Sequence, residues 1–202
     1  MSANDRRSND LGRSVIDQLL FNLDQDTIIH TMRVVAWCMT IADSLRLEKG
    51  RVAILRLAAL SHDLGKFGLQ SIYGQPRKLN PGEKLILDSH DRLAEELLVG
   101  VDLIEVGLLA GVHNHPAEYR GHMYLELVIL VVADIFDATY FPRGYRKYSL
   151  SKTSIYREVM SRLSLVVDKV IPAVDPIILV DELIYFLEDI GGINNKLLLA
   201  EH

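Results

Sequence analysis

Residues 51–66 read Arg-Val-Ala-Ile-Leu-Arg-Leu-Ala-Ala-Leu-Ser-His-Asp-Leu-Gly-Lys. The apolar positions Val52, Ala53, Leu55, Leu57, Ala58 and Leu60 follow helical spacing and not the alternation of a strand. The helix runs into an adjacent histidine and aspartate, His62-Asp63, directly before Gly65. Neighbouring residues on a helix point about 100° apart. Such a pair can share one cation only near a helix end, or by lying on either side of the ion, and the sequence puts it at a helix end.

The same periodicity extends outward in both directions. Val15, Leu19, Leu20 and Leu23 share one face of a helix over Leu11–Leu23. Asp24 and Asp26 are candidate N-caps for a second helix reaching about Leu47, and Gly50 separates it from the third, Arg51–Asp63. Gly65–Pro81 reads as a connecting loop with glycine and proline punctuation. Asn80, Pro81 and Glu83 form a capping pattern for a helix reaching about Val99. Further helices are expected over Asp102–Val112, Met123–Tyr140, Ser154–Val170 and Pro176–Asp189, the last stopped by Gly191-Gly192. Strand signals are weak, so the expected fold is all-α, a bundle of about seven or eight helices. The expected organisation is a tail over residues 1–10, a catalytic-type domain over 11–150, and C-terminal helices over 151–202 packed on the same domain.

The composition is that of an ordinary globular chain: 202 residues, 49% hydrophobic, 24% charged, net charge −5. Nothing resembles a basic nucleic-acid footprint, so no DNA partner is expected. The longest apolar run, Leu125–Ala133, contains Glu126 and is too short for a membrane span. Residues 1–10 lack the apolar core of a secretory signal. The single cysteine, Cys38, lies in an apolar helical stretch and reads as a buried core thiol, in keeping with a cytoplasmic setting.

Six of the seven histidines fall between positions 30 and 122. His30 lies one turn after Asp26, a spacing that puts both on one helix face. Asp134 and Asp137 are three apart on an otherwise apolar helix, where a buried carboxylate wants a cation or hydrogen-bond donors. Histidine nitrogen with carboxylate oxygen suits iron, manganese, zinc or cobalt. Taken singly, each of these residues is as well explained by a cap, a loop or a satisfied core position. Their order along the chain makes the case.

That order resembles the HD-domain phosphohydrolases. Leu60-Ser61-His62-Asp63-Leu64-Gly65-Lys66 resembles their HD-x-G-K signature, His30 their first histidine, and Asp134 in Val-Ala-Asp-Ile-Phe-Asp-Ala their last aspartate. Within that superfamily the chain is most similar to the HD-GYP branch, whose known members hydrolyse cyclic di-GMP with two or three metal ions. Pro76-Arg77-Lys78-Leu79-Asn80-Pro81-Gly82-Glu83 resembles that branch's P-G-K-L-T-P-E-E segment, and Arg143-Gly144-Tyr145-Arg146 its R-P-Y-R. The pattern departs at Asn114, where the branch has a second adjacent histidine after His113. It departs again at Gly121-His122-Met123, where the branch has G-Y-P, and at Ala94, a glycine there.

The resemblance implies a divalent transition-metal site of one to three ions, iron or manganese first, with zinc, cobalt or nickel as alternatives. Its expected ligands are His30, His62, Asp63, His90, His113 and Asp134, with His115 and Asp26 as weaker candidates. Asp63 and Lys66 are the expected catalytic groups. Arg143, Tyr145, Arg146 and Lys147 are expected to bind substrate through phosphate contacts and base stacking. Asp137 is expected to orient a ligand or an arginine. The implied activity is phosphodiester hydrolysis of cyclic di-GMP or a related nucleotide. The alternative is an inactive HD-GYP-like module that binds a ligand or a signalling partner. The C-terminal apolar residues Ile178, Val180, Leu183, Ile184 and Phe186 suit core packing or a homodimer contact.

Overall fold

A computed structural model describes residues 14–73, 77, 79–141, 150–166, 169 and 174–194, with side chains of the final helix described to residue 187. The tail over 1–10, Pro76, Lys78 and the whole Arg143, Tyr145, Arg146 and Lys147 group lie outside the described residues. The fold is all-α, with no strand among the described residues.

Residues 14–21 form α1. The helices α2 (Gln25–Ser44) and α3 (Lys49–Ser61) follow, then a 3₁₀ turn over Leu64–Lys66 and the single-turn α4 (Gln70–Tyr73). Next come α5 (Pro81–Asp88), α6 (His90–Val99) and α7 (Ile104–Ala110), a second 3₁₀ turn over Pro116–Glu118, and α8 (Tyr124–Tyr140). The helices α9 (Lys152–Leu163) and α10 (Pro176–Asn194) follow.

The core is built around α8. Leu127 through Ala133 are completely buried on consecutive positions, so this helix is enclosed on all sides. It packs against α2, α3, α9 and α10, while α6 and α7 pair with each other and lie against α3 and the first 3₁₀ turn. Glu126 is buried in this apolar setting because Arg51 of α3 reaches it, with a 2.7 Å hydrogen bond from Nη2 to Oε2. Cys38 is fully buried on α2, where desolvation pushes its thiol pKa well up.

Local chemistry accounts for the helix boundaries. Asp24 caps α2 by accepting from the Thr27 amide at 3.0 Å. At α5 the capping box is complete: Asn80 Oδ1 accepts from the Glu83 amide and Glu83 Oε2 from the Asn80 amide, both at 2.9 Å. Three expectations are corrected. The Asn80–Val99 helix is two helices, because Ser89 hydroxyl and backbone both turn onto the Ile86 carbonyl and break the register. Gly50 is not a separator but sits in the first turn of α3. Gly191-Gly192 does not stop α10, which continues to Asn194: glycine costs a helix only about 1 kcal/mol and forbids nothing.

Candidate metal centre and active site

The site forms where α2, the end of α3, the start of α6, the end of α7 and the middle of α8 converge. The buried stripe of α2 runs through Thr27, His30, Thr31, Val34, Trp37, Cys38 and Ile41. His30 and Trp37, two turns apart on that stripe, face Asp137 of α8, as does Arg33 between them. His30 Nδ1 lies 2.7 Å from Asp137 Oδ2, Arg33 Nε and Nη2 donate to the two carboxylate oxygens at 2.6 and 2.9 Å, and Trp37 Nε1 donates at 3.1 Å. Asp137 thus orients both a histidine and an arginine, and its donors hold it ionised and below the usual carboxylate pKa despite burial.

The adjacent pair works as the helix-end argument requires. His62 is the C-cap of α3 with helical torsions, whereas Asp63 has already turned out of the helix (φ −99°, ψ 4°). Both side chains therefore address one centre, His62 Nε2 lying 3.5 Å from Asp63 Oδ2. Two residues later the chain passes so close to α6 that a Cβ on Gly65 would stand 1.7 Å from the His90 carbonyl oxygen. Glycine is required here by close approach, and the contact fixes the His62-Asp63 turn against the helix carrying His90.

One device sets three histidines. His62, His90 and His113 each place Nδ1 on the carbonyl three residues back: Ala59 at 2.8 Å, Leu87 at 2.6 Å and Ala110 at 2.7 Å. A carbonyl only accepts, so Nδ1 carries a proton in each ring and Nε2 is the atom that faces the site. His30 Nε2 lies 3.1 Å from Asp134 Oδ1 and 3.8 Å from Asp63 Oδ2, and His62 Nε2 3.9 Å from Asp134 Oδ1. His90 Nε2 lies 3.1 Å from Asp63 Oδ1. Two compact sets of donor atoms result, His30–His62–Asp134 and His62–Asp63–His113.

The electrostatics favour a cation. Burial raises the cost of charge on Asp63 and Asp134, yet both pKa values are pulled below normal, by Lys66 and His62 at Asp63 and by His30 at Asp134. Lys66 Nζ is 2.6 Å from Asp63 Oδ2. Burial pushes His62 down and His113 down to about 3, keeping both rings neutral. Burial also opposes charge on His30, but its bonds to Asp134 and Asp137 outweigh it and its pKa is raised. The buried His62 Nε2 has no hydrogen-bond partner among the described residues. A desolvated lone pair aimed between two carboxylates fits a divalent ion.

Two expected ligands are not brought in. Asp26 is exposed, because it sits one position off the buried stripe of α2 on the first turn; the carboxylates that meet the His30 ring are Asp137 at Nδ1 and Asp134 at Nε2. His115 is half-exposed, its Nε2 3.8 Å from Asp91 Oδ2 and apart from both donor sets. His122 is exposed as well.

Sequence reading missed Arg33, which lies three residues after His30 and so shares its helix face. It also missed the contribution of α9. Arg162 Nη1 donates to Asn114 Oδ1 at 2.9 Å and lies 3.8 Å from Asp134 Oδ2. A cleft of about 350 Å³ opens beside Asp134, with Ser154, Arg157, Glu158 and Arg162 of α9 along one wall.

The HD domain family model matches residues 27–139, more than half of the chain. This chain belongs to the HD domain family. Curated relatives share the region. The chain is 34% identical over 120 residues to the cyclic di-GMP phosphodiesterase response regulator RpfG of Xanthomonas campestris pv. campestris (strain 8004), covering 53% of this chain and 32% of that protein. It is 31% identical over 127 residues to 3'3'-cGAMP-specific phosphodiesterase 3 of Vibrio cholerae, covering 58% and 28% of the two chains. The corresponding figures for phosphodiesterase 1 of the same organism are 29% over 134 residues, covering 60% and 31%. The matched HD region thus spans about a third of each relative's length. These likenesses support the resemblance to the HD-GYP branch. HD domains bind divalent metals, and the His/Asp clusters of this chain lie within the matched residues.

Proposed function

We propose that the chain is a metal-dependent phosphohydrolase that cleaves a phosphodiester of a cyclic dinucleotide, cyclic di-GMP or 3'3'-cGAMP. The observation that carries the reading is the desolvated His62 Nε2, unpartnered among the described residues, beside the Asp63 and Asp134 carboxylates. His30, His62, Asp63 and Asp134 hold a divalent transition metal, iron or manganese. When bound, such an ion lowers the pKa of water and neutralises phosphate oxygens.

The chain's own groups do the rest. Lys66, now paired with Asp63, brings an ammonium against a phosphate oxygen. Asp137 fixes the His30 ring and keeps its proton on Nδ1. Arg143, Tyr145, Arg146 and Lys147 grip the distal phosphate and stack on a base. The substrate class follows the relatives' names. A homodimer, for which the exposed Ile178 of α10 offers apolar surface, and a signalling partner belong to the same proposal.

A second reading, an inactive ligand-binding module, is favoured by one observation: Asn114 Nδ2 stands 2.9 Å from His113 Nε2. Turnover of cyclic di-GMP, 3'3'-cGAMP and a panel of phosphate esters, followed by chromatography with manganese or ferrous iron, decides between them. Linear dinucleotide formed by the native chain and lost in His62→Ala supports the enzyme. Equal inactivity of both, with retained cyclic-dinucleotide binding, supports the module.

A further inference from the structure

Asn114 joins the end of α7 to α9 across the donor atoms of His90 and His113. Its Oδ1 accepts from Arg162 Nη1 at 2.9 Å, which fixes the orientation of the amide: the reverse placement would set the amide NH₂ against a guanidinium donor. Nδ2 therefore faces the histidines, 2.9 Å from His113 Nε2 and 3.4 Å from His90 Nε2. His113 Nδ1 is committed to the Ala110 carbonyl, so its Nε2 is an acceptor and the Asn114 N–H satisfies it. The nitrogen that a second ion would need is already hydrogen-bonded.

The charge balance points the same way. Arg162 Nη1 lies 3.8 Å from Asp134 Oδ2, while its Nη2 donates to Glu158 Oε1 at 3.2 Å and anchors the guanidinium to α9. A fixed positive charge already faces Asp134 from that side. A second cation between His90 and His113 would have to displace the amide and sit near this guanidinium. The contrast with His62 is direct, since its Nε2 has no hydrogen-bond partner among the described residues.

We infer that Asn114, held by Arg162, closes the second coordination position formed by His90 and His113, so that the chain carries one metal ion. The inference rests on the metal-centre reading of His30, His62, Asp63 and Asp134. It assigns α9 a positioning role: Arg162 selects metal stoichiometry through the amide it orients.

The test is manganese content per full-length chain after gel filtration, with electron paramagnetic resonance of the same samples. The native chain is expected to hold one ion with the spectrum of an isolated centre. Asn114→His, which supplies a ligand, and the nearly isosteric Asn114→Asp, which replaces the blocking N–H with an oxygen, are expected to rise to two ions with a spin-coupled spectrum. Arg162→Met frees the amide to rotate and is expected to admit a second ion at higher manganese concentration. Two coupled ions in the native chain would overturn the inference while leaving the metal centre intact. So would a single ion persisting in both Asn114 variants. No ion in the native chain, matching His62→Ala, would remove the metal-centre reading itself.

Discussion

At the scale of single residues, the proposed centre would depend on groups that orient its ligands as well as on the ligands. Asp137 holds the His30 ring while itself gripped by Arg33 and Trp37. Asp137→Asn should lower metal affinity by about 10- to 100-fold, the usual cost of losing a partner that fixes a ligating histidine. Isothermal titration with manganese measures it, and an unchanged affinity would contradict the role. The His62-Asp63 pair and the Asp134/Asp137 spacing were legible in the sequence because each breaks an apolar helical pattern. Asp26 was misread for the converse reason. An i, i+4 spacing brings Asp26 near the His30 face, but Asp26 lies on the first turn of α2, before the buried stripe from Thr27 to Ile41 begins, and stays exposed.

At the scale of elements, the first 3₁₀ turn and α6 form one unit through Gly65. Gly65→Ala would drive a Cβ to 1.7 Å from the His90 carbonyl oxygen, so the turn must separate from α6. The expected cost is about 1–3 kcal/mol or more. It should appear as a lower denaturation midpoint together with weakened metal binding; loss of neither would refute the packing argument. The pair formed by Arg51 of α3 and Glu126 of α8 is a second joint. Arg51→Ala leaves a buried carboxylate unmatched, though the arginine side chain is itself 42% exposed. We expect a loss on the order of 2 kcal/mol, below the about 3–5 kcal/mol typical of fully buried pairs. Thermal denaturation tests this, a shift of under about 1 °C being the contrary result. The start of α5 could be read directly from Asn80-Pro81-Gly82-Glu83, since a capping box is local chemistry. The break at Ser89 could not. It depends on side chains choosing the Ile86 and Leu87 carbonyls over continued helix, and the same choice orients His90.

At the scale of the whole molecule, the enclosed α8 anchors Asp134 and Asp137, and the other helices carry their histidines to it. The all-α class was legible because helical periodicity runs through nearly every segment. The part played by α9 was not, since Arg162 meets Asn114 only after α9 packs on α8. Among the described residues, no helix is long and apolar enough to cross a membrane. Binding an ion to the folded state alone should stabilise the entire chain, by about 2.7 kcal/mol at one hundred times the dissociation constant. At about 2–4 °C per kcal/mol for a chain of this size, manganese should raise the melting temperature by roughly 5–10 °C. His62→Ala should abolish that shift; an equal shift in the variant would place the ion elsewhere.

The most direct test of the proposed chemistry is turnover of a cyclic dinucleotide in ¹⁸O-water by protein stripped of metal and then reloaded with manganese or ferrous iron. The account predicts no product from the stripped protein. From the reloaded protein it predicts linear dinucleotide with one ¹⁸O in the new terminal phosphate, and from reloaded Asp63→Asn no product. No turnover by the reloaded native chain, or turnover that survives loss of Asp63, would contradict it.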